Sequence, residues 1–285
     1  MNAELNQSFK YIESATGSEK ILVRILNEEN GSKTTFLILH DYFDYHKYYL
    51  ETAERLFKDF PNSRVVLFDY KGLGRSSGDR GYIKKWNVFT LEAKKVIEAY
   101  ANTEKLVVIG SGLGGVVALD LLFDNSLNLE KRIDGVCLIN PLLKMIIDYP
   151  NWAQSVIRNF PSFLERARFP IRFNYHRFCT DFEHSQVVNA DALVPHDVSF
   201  RTIIELLETN NRLKSLSYFI KKPTLIMLSE KGHLCHNEFI KVYAKGVDRK
   251  YLTLNEYKGA YHDLIHDRNS EQVVQDLVDW AKEVL

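Results

Sequence analysis

Residues 106–119 read LVVIGSGLGGVVAL: an apolar run, a burst of glycine, then a second apolar run. The first run suits a strand buried on both faces, and the second suits a helix packed against it. The glycines between them mark a sharp turn where backbone passes close to backbone. Upstream, TTFLILH (34–40) and RVVLFDY (64–70) are similar buried runs; downstream, IDGVCLIN (133–140), TLIML (224–228) and KYLTLNE (250–256) continue the series. Helical spacing separates them, over 46–59 (Tyr49, Ala53, Leu56, then Phe60), 87–101, 113–124, near 237–245 and over 270–284. FKYIES (9–14) and KILVRILN (20–27) alternate on either side of Thr16-Gly17-Ser18 and predict an initial antiparallel pair. Strands alternating with helices at this spacing predict an α/β fold, a mainly parallel sheet covered on both faces.

The rhythm breaks between residues 142 and 215. This stretch is rich in aromatic residues and arginine, and its FRTIIELLE segment has helical spacing. An insertion of that size between two strands predicts a lid over the carboxyl ends of the sheet, where ligands bind in such folds. The expected division is therefore a core of 1–141 and 216–285 with a lid of 142–215. Within the lid, Arg166, Arg168, Arg172 and Arg177 interleave with aromatics. They suit an anionic headgroup, or equally a packed and solvated outer face.

Composition excludes several classes. Lys+Arg and Asp+Glu are both 37, so no global field favours nucleic acid or an anionic membrane. Three cysteines, Cys137, Cys179 and Cys235, are odd in number and widely spaced, which predicts reduced, unreactive thiols. No signal-like N-terminal segment is evident, and the longest uncharged apolar run, 106–119, is too short and glycine-rich to span a bilayer. A cytoplasmic protein with no integral membrane segment is expected.

The order of LILHDYFDYHKYY, FDYKGLGRSSGDRGY, VIGSGLGGVVAL, LINP, PTLIMLSEKGHLCH and GAYHDLIHD resembles that of the α/β-hydrolases. Within that fold the chain is most similar to the monoacylglycerol lipase and lysophospholipase group of the serine aminopeptidase-like family. The pattern D-x-x-G-x-G-x-S-x-G, here Asp69 to Gly78, carries much of that likeness. The resemblance implies a sheet of about eight strands and a Ser-His-acid triad beside an oxyanion hole.

The residues at those positions depart from the pattern. The elbow that presents a nucleophile needs small residues two before and two after it. Gly110 and Gly114 satisfy that for position 112, whereas Ile109 and Leu113 do not for Ser111. Gly112 therefore stands where the nucleophile is expected, and Ser111 precedes it as a displaced candidate. The acid position falls on Gly232, with Glu230 two residues earlier as a substitute if the loop is rebuilt. His262 keeps the histidine position. The oxyanion loop, normally H-G-x-G, reads His40-Asp41-Tyr42-Phe43. Asp41 would bring a carboxylate toward a developing oxyanion, an unfavourable Coulomb term. It could instead pair with His262 as an acid–base dyad, or simply cap its loop and face solvent. His40, Tyr42, Gly112 and Leu113 are expected to line the ligand pocket.

His233, Cys235 and His236 lie in the loop opposite His262 and offer metal-ligand chemistry, but H-x-x-H in a loop fixes no tetrahedral geometry. Neither a metal nor a cofactor is expected. The function that best fits is a non-hydrolytic protein with this fold, binding a small apolar or acyl-type molecule or a protein partner, with no nucleic acid. The alternatives are an esterase or lipase-like enzyme with a rebuilt site, a cofactor-free catalyst working through His262, and an interaction module whose lid packs the pocket shut.

Overall fold

The computed structural model describes residues 6–28, 31–145, 164–170, 175, 178–232 and 234–285 of the chain. Among these residues, eight strands form one sheet. In chain order they are β1 (Gln7–Glu13), β2 (Lys20–Leu26), β3 (Thr34–Leu39), β4 (Ser63–Phe68), β5 (Lys105–Ser111), β6 (Gly135–Ile139), and, after a separate short pair, β9 (Thr224–Ser229) and β10 (Leu252–Tyr257). Their spatial order is β1-β2-β4-β3-β5-β6-β9-β10. Strand β2 is antiparallel to both its neighbours, and every other pairing is parallel.

The continuous apolar runs are explained by burial on both faces. Along β5, Leu106 and Val108 enter one core, while Val107 and Ile109 enter the other. The first core packs under α2 (Asn87–Tyr100) and α3 (Leu113–Phe123); the second packs under α1 (Leu50–Asp59) and, across the numbering, the C-terminal α7 (Ser270–Val284). Residues 113–122 of α3 are all buried, which is why that segment shows no polar stripe. The 46–59 segment, expected as one helix, begins with a 3-10 turn over His46–Tyr49 before α1 starts.

Between 142 and 215 the described residues include α4 (Phe182–Ala190) and α5 (Phe200–Leu213). They also include a small antiparallel pair, β7 (Arg168–Pro170) with β8 (Asp197–Ser199), that the aromatic-rich sequence did not suggest. The FRTIIELLE segment forms α5, with the Ser199 hydroxyl accepting from the Thr202 N–H at 3.1 Å as its cap. Arg172 and Arg177 lie outside the described residues. Arg166 pairs with Asp79, and Arg168 pairs with Asp197 at 2.5 Å. Helix α6 (Asn237–Ala244) follows β9. Among the described residues no helix is long and apolar enough to cross a membrane.

The close crossing of α3 over the sheet depends on the absence of side chains. A Cβ at Gly114 would overlap the carbonyl oxygen of Leu39, and one at Gly110 would overlap the backbone of Gly114. Gly114→Ala makes a sign test of this contact. Helix propensity alone would stabilise the protein by about 0.5–1 kcal/mol. The backbone clash instead costs about 1–3 kcal/mol. Thermal unfolding of the variant is expected to show a melting temperature lowered by several degrees.

Candidate functional site

The site lies where β3, β5, β6 and β9 end at the carboxyl edge of the sheet. The turn after β5 has the geometry of a nucleophile elbow: Gly112 sits at φ 50° and ψ −110°, a region costly to residues with a side chain. Ser111 is the last residue of β5, 8% exposed and beside the Tyr49 hydroxyl. A side chain on Gly112 has nowhere to go, because its Cβ would overlap the Asp41 carboxyl group.

Asp41 reaches this place from the loop after β3. Its Oδ1 accepts from the Leu113 N–H at 2.6 Å and from its neighbour Tyr42 N–H at 2.7 Å. Its Oδ2 lies 3.1 Å from His262 Nε2. Leu113 opens α3, and no side chain from the helix's own N-cap position bonds its first turn. The Asp41 carboxylate therefore serves as a cap supplied from another loop, with the helix dipole favouring its charge. Asp41 does not face solvent, being only 5% exposed, and the N–H groups it caps belong to α3 as well as to its own loop.

The neighbouring residues hold that carboxylate in place. His40 Nδ1 donates to the Asp41 carbonyl at 2.5 Å, and its Nε2 accepts from the Tyr70 N–H at 3.3 Å. Both ring nitrogens thus touch backbone, and Nδ1 also lies 3.3 Å from Asp44 Oδ1. The Asp41 N–H donates to the Tyr49 hydroxyl at 3.1 Å, and that hydroxyl donates to Asp44 Oδ2 at 2.5 Å. Burial pushes the Asp44 carboxyl up to about 6, against the His40 and Tyr49 contacts that favour its charge.

His262 is 4% exposed and is held through its own carbonyl, which accepts from Asn140 Nδ2 at 2.6 Å. Asn140 stands at the end of β6 and also accepts from the Ser229 N–H at 2.9 Å, tying three loops together. Burial works against a charged imidazole, while the Asp41 carboxylate at Nε2 favours it and raises His262 above the ordinary histidine range. Phe178 meets its ring edge-on at 6.0 Å between centroids.

The second nitrogen of His262 faces cysteine. Cys235 Sγ lies 3.7 Å from Nδ1 and 3.1 Å from the Asn140 carbonyl oxygen. Burial pushes the Cys235 thiol up, so it is a neutral neighbour. Position 232 does not supply an acid: a Cβ on Gly232 would press on the Asn237 side chain. Glu230 is exposed and accepts from the Gly259 N–H at 2.8 Å, bonded away from His262. The sequence reading placed Cys235 in the loop opposite His262 but not against its ring nitrogen, because the family register drew attention to position 232. The inward turn comes from a bridge between Cys235 and Met145 and from the His236 N–H donating to the Lys144 carbonyl. His236 itself is exposed, and His233 lies outside the described residues.

Two cavities adjoin these groups. One, of about 10 Å³, is lined by Asp41, Asp44, Ser111, Tyr175, His262 and Asp263, with room for about one water. The other, of about 120 Å³, has an entirely apolar lining that includes Tyr42, Phe43, Leu113, Met145, Val198 and Ile203. Tyr42 and Leu113 thus turn their N–H groups to Asp41 and their side chains to the apolar cavity. The larger grooves elsewhere are open and bordered by charge, such as that between Lys85, Asp120, Glu205 and Arg212.

Comparison with known proteins gives a consistent result. The chain is 23% identical over 240 residues to phospholipase YtpA of Bacillus subtilis, covering 83% of this chain and 90% of that one. Its structure superposes on a monoglyceride lipase of Saccharomyces cerevisiae with a TM-score of 0.81 at 18% identity, covering 98% and 97% of the two chains. A monoacylglycerol lipase of Paleococcus ferrophilus gives 0.76 at 18% identity, covering 99% and 100%. The family model for serine aminopeptidase S33 matches residues 30–269. With the eight-stranded, helix-covered sheet and the elbow after β5, this chain belongs to the serine aminopeptidase S33 family of α/β-hydrolases.

Proposed function

We propose that the chain is a non-hydrolytic member of this family that binds a small, neutral, apolar or acyl-type molecule in the cavity beside Leu113. In this reading residues 142–215 act as its lid. The observation that carries the reading is the position of the Asp41 carboxylate. It occupies the two backbone donors, Leu113 and Tyr42, that in an active elbow would receive an oxyanion. It also fills the space a residue-112 side chain would need.

A negative oxygen developing about 3 Å from that carboxylate would be opposed by about 5 kcal/mol at an effective dielectric of about 20. The same charge argues for neutral ligands over fatty carboxylates, because Tyr42 and Leu113 border both Asp41 and the apolar cavity. Its volume, about 120 Å³, is on the scale of a site that takes benzene or a short chain. The likeness to phospholipase and monoacylglycerol lipases supports the acyl-type class. A protein partner at the lid is compatible with the same closed site.

A second reading has an observation of its own. His262 Nε2 and Asp41 Oδ2 are 3.1 Å apart in a nearly dry site, the arrangement of an acid–base pair that needs no acyl-enzyme. Under this reading His262 moves a proton while Asp41 holds its charge. An esterase with a rebuilt site would require a serine to reach His262 from elsewhere.

A fluorophosphonate probe separates these readings. The native protein is expected to remain unlabelled, and Gly112→Ser alone to stay unlabelled because Asp41 occupies the space. The double variant Asp41→Gly with Gly112→Ser is expected to acquire labelling at residue 112. Labelling of the native chain at any serine, or ester turnover abolished by His262→Ala, would overturn the non-hydrolytic reading.

Ligand binding gives a separate check. Ile203→Phe fills the apolar cavity and is expected to weaken binding of 1-hexanol at least about tenfold, a loss of about 1.4 kcal/mol. Hexanoate is expected to bind more weakly than hexanol to the native protein. Equal affinity for the alcohol and the carboxylate would remove the argument from the Asp41 charge.

A further inference from the structure

Beside the site already described, one cluster is explained neither by the catalytic positions nor by the apolar cavity. It joins His184 in the first turn of α4, Asp263 next to His262, and His266 further along the same loop. One ligand-capable atom from each lies within 4.8 Å of the others. His266 Nδ1 sits 2.9 Å and 3.0 Å from the two Asp263 oxygens, and His184 Nε2 sits 3.3 Å from Oδ2.

The proton inventory of this cluster is unusual. His266 Nε2 donates to the Tyr48 carbonyl at 2.6 Å, which commits that proton. Its other nitrogen then meets a carboxylate, and two acceptors at that distance need a proton or a cation between them. His184 Nε2 is buried and close to the same carboxylate but makes no aligned hydrogen bond. An imidazole whose far nitrogen is held by a backbone carbonyl, beside a carboxylate, is the arrangement that orients metal-binding histidines. Two imidazoles and one carboxylate are the donor set of zinc, nickel, cobalt and copper sites rather than of calcium or magnesium.

We propose that His184, Asp263 and His266 form a binding site for a divalent transition-metal ion, leaving its remaining coordination position to water. The two imidazole rings are stacked, with centroids 4.1 Å apart and planes 13° from parallel. Coordination in the plane of both rings therefore requires one to turn. His184 is the one that can, since its Nε2 makes only the 3.3 Å contact with Asp263 while His266 is also anchored on Tyr48. The bound ion would staple α4, which belongs to the 142–215 segment, to the loop that carries His262. This site stands independently of the function proposed above.

The test uses untagged full-length protein treated with a chelator and then titrated with Co(II), followed by Zn(II). Saturable d–d absorption with Co(II), displaced by Zn(II), and a saturable rise in melting temperature are expected. His184→Ala and His266→Gln are each expected to weaken Co(II) binding at least about tenfold. His196→Ala, which removes an exposed histidine outside the cluster, is expected to leave binding unchanged. His184→Ala leaves the His266–Tyr48 contact intact, so it remains informative if the His266 variant folds poorly. Absence of a saturable cobalt spectrum, or one unchanged in His184→Ala, would overturn the proposal and leave the cluster a proton-held clamp.

Discussion

The carboxylate of Asp41 holds the centre of this molecule together. Three elements meet on it: the start of α3 through the Leu113 N–H, the loop after β3 through the Tyr42 N–H, and the C-terminal loop through His262. Each contact is charge-assisted and lies away from water, where such bonds are stronger and their loss more costly. An uncapped helix start in the interior would leave N–H groups without partners, and the positive end of α3 would face nothing. With Asp41 in place, the elbow needs no ligand to complete it.

The supporting network follows from that charge. His40 ties the Asp41 carbonyl and the Tyr70 N–H, and also touches Asp44, so the loop after β3 is held in place. Asn140 links the His262 carbonyl to the start of the loop after β9. Asp44, Tyr49 and Ser111 complete a buried polar shell around a space no larger than about one water. The apolar cavity is separate in chemistry, though Phe43 lines both spaces.

Much of the architecture was legible because burial on both sheet faces writes itself as uninterrupted apolar runs. The spacing of Gly110, Gly112 and Gly114 set the elbow's register, since only that register leaves room where α3 crosses Leu39. The 3-10 turn at His46–Tyr49 and the β7–β8 pair were not legible. The first shares the apolar spacing of a helix, and the second is made of two three-residue strands with no alternation to read. That Cys235 of the loop opposite His262, rather than position 232, meets its Nδ1 was set by loop conformation. The His184–Asp263–His266 cluster joins residues about eighty positions apart and has no local signature.

The sequence by itself determined the layered α/β fold and the strand-turn-helix at 105–123. These depend on local periodicity and on which side chains fit a crowded backbone, and both are properties of short segments. Only the tertiary structure decided that Asp41 turns inward onto α3 rather than outward to solvent, and that cysteine faces the second nitrogen of His262. A buried charge goes where distant donors can receive it, and the position of those donors is fixed by packing, not by neighbours in the chain.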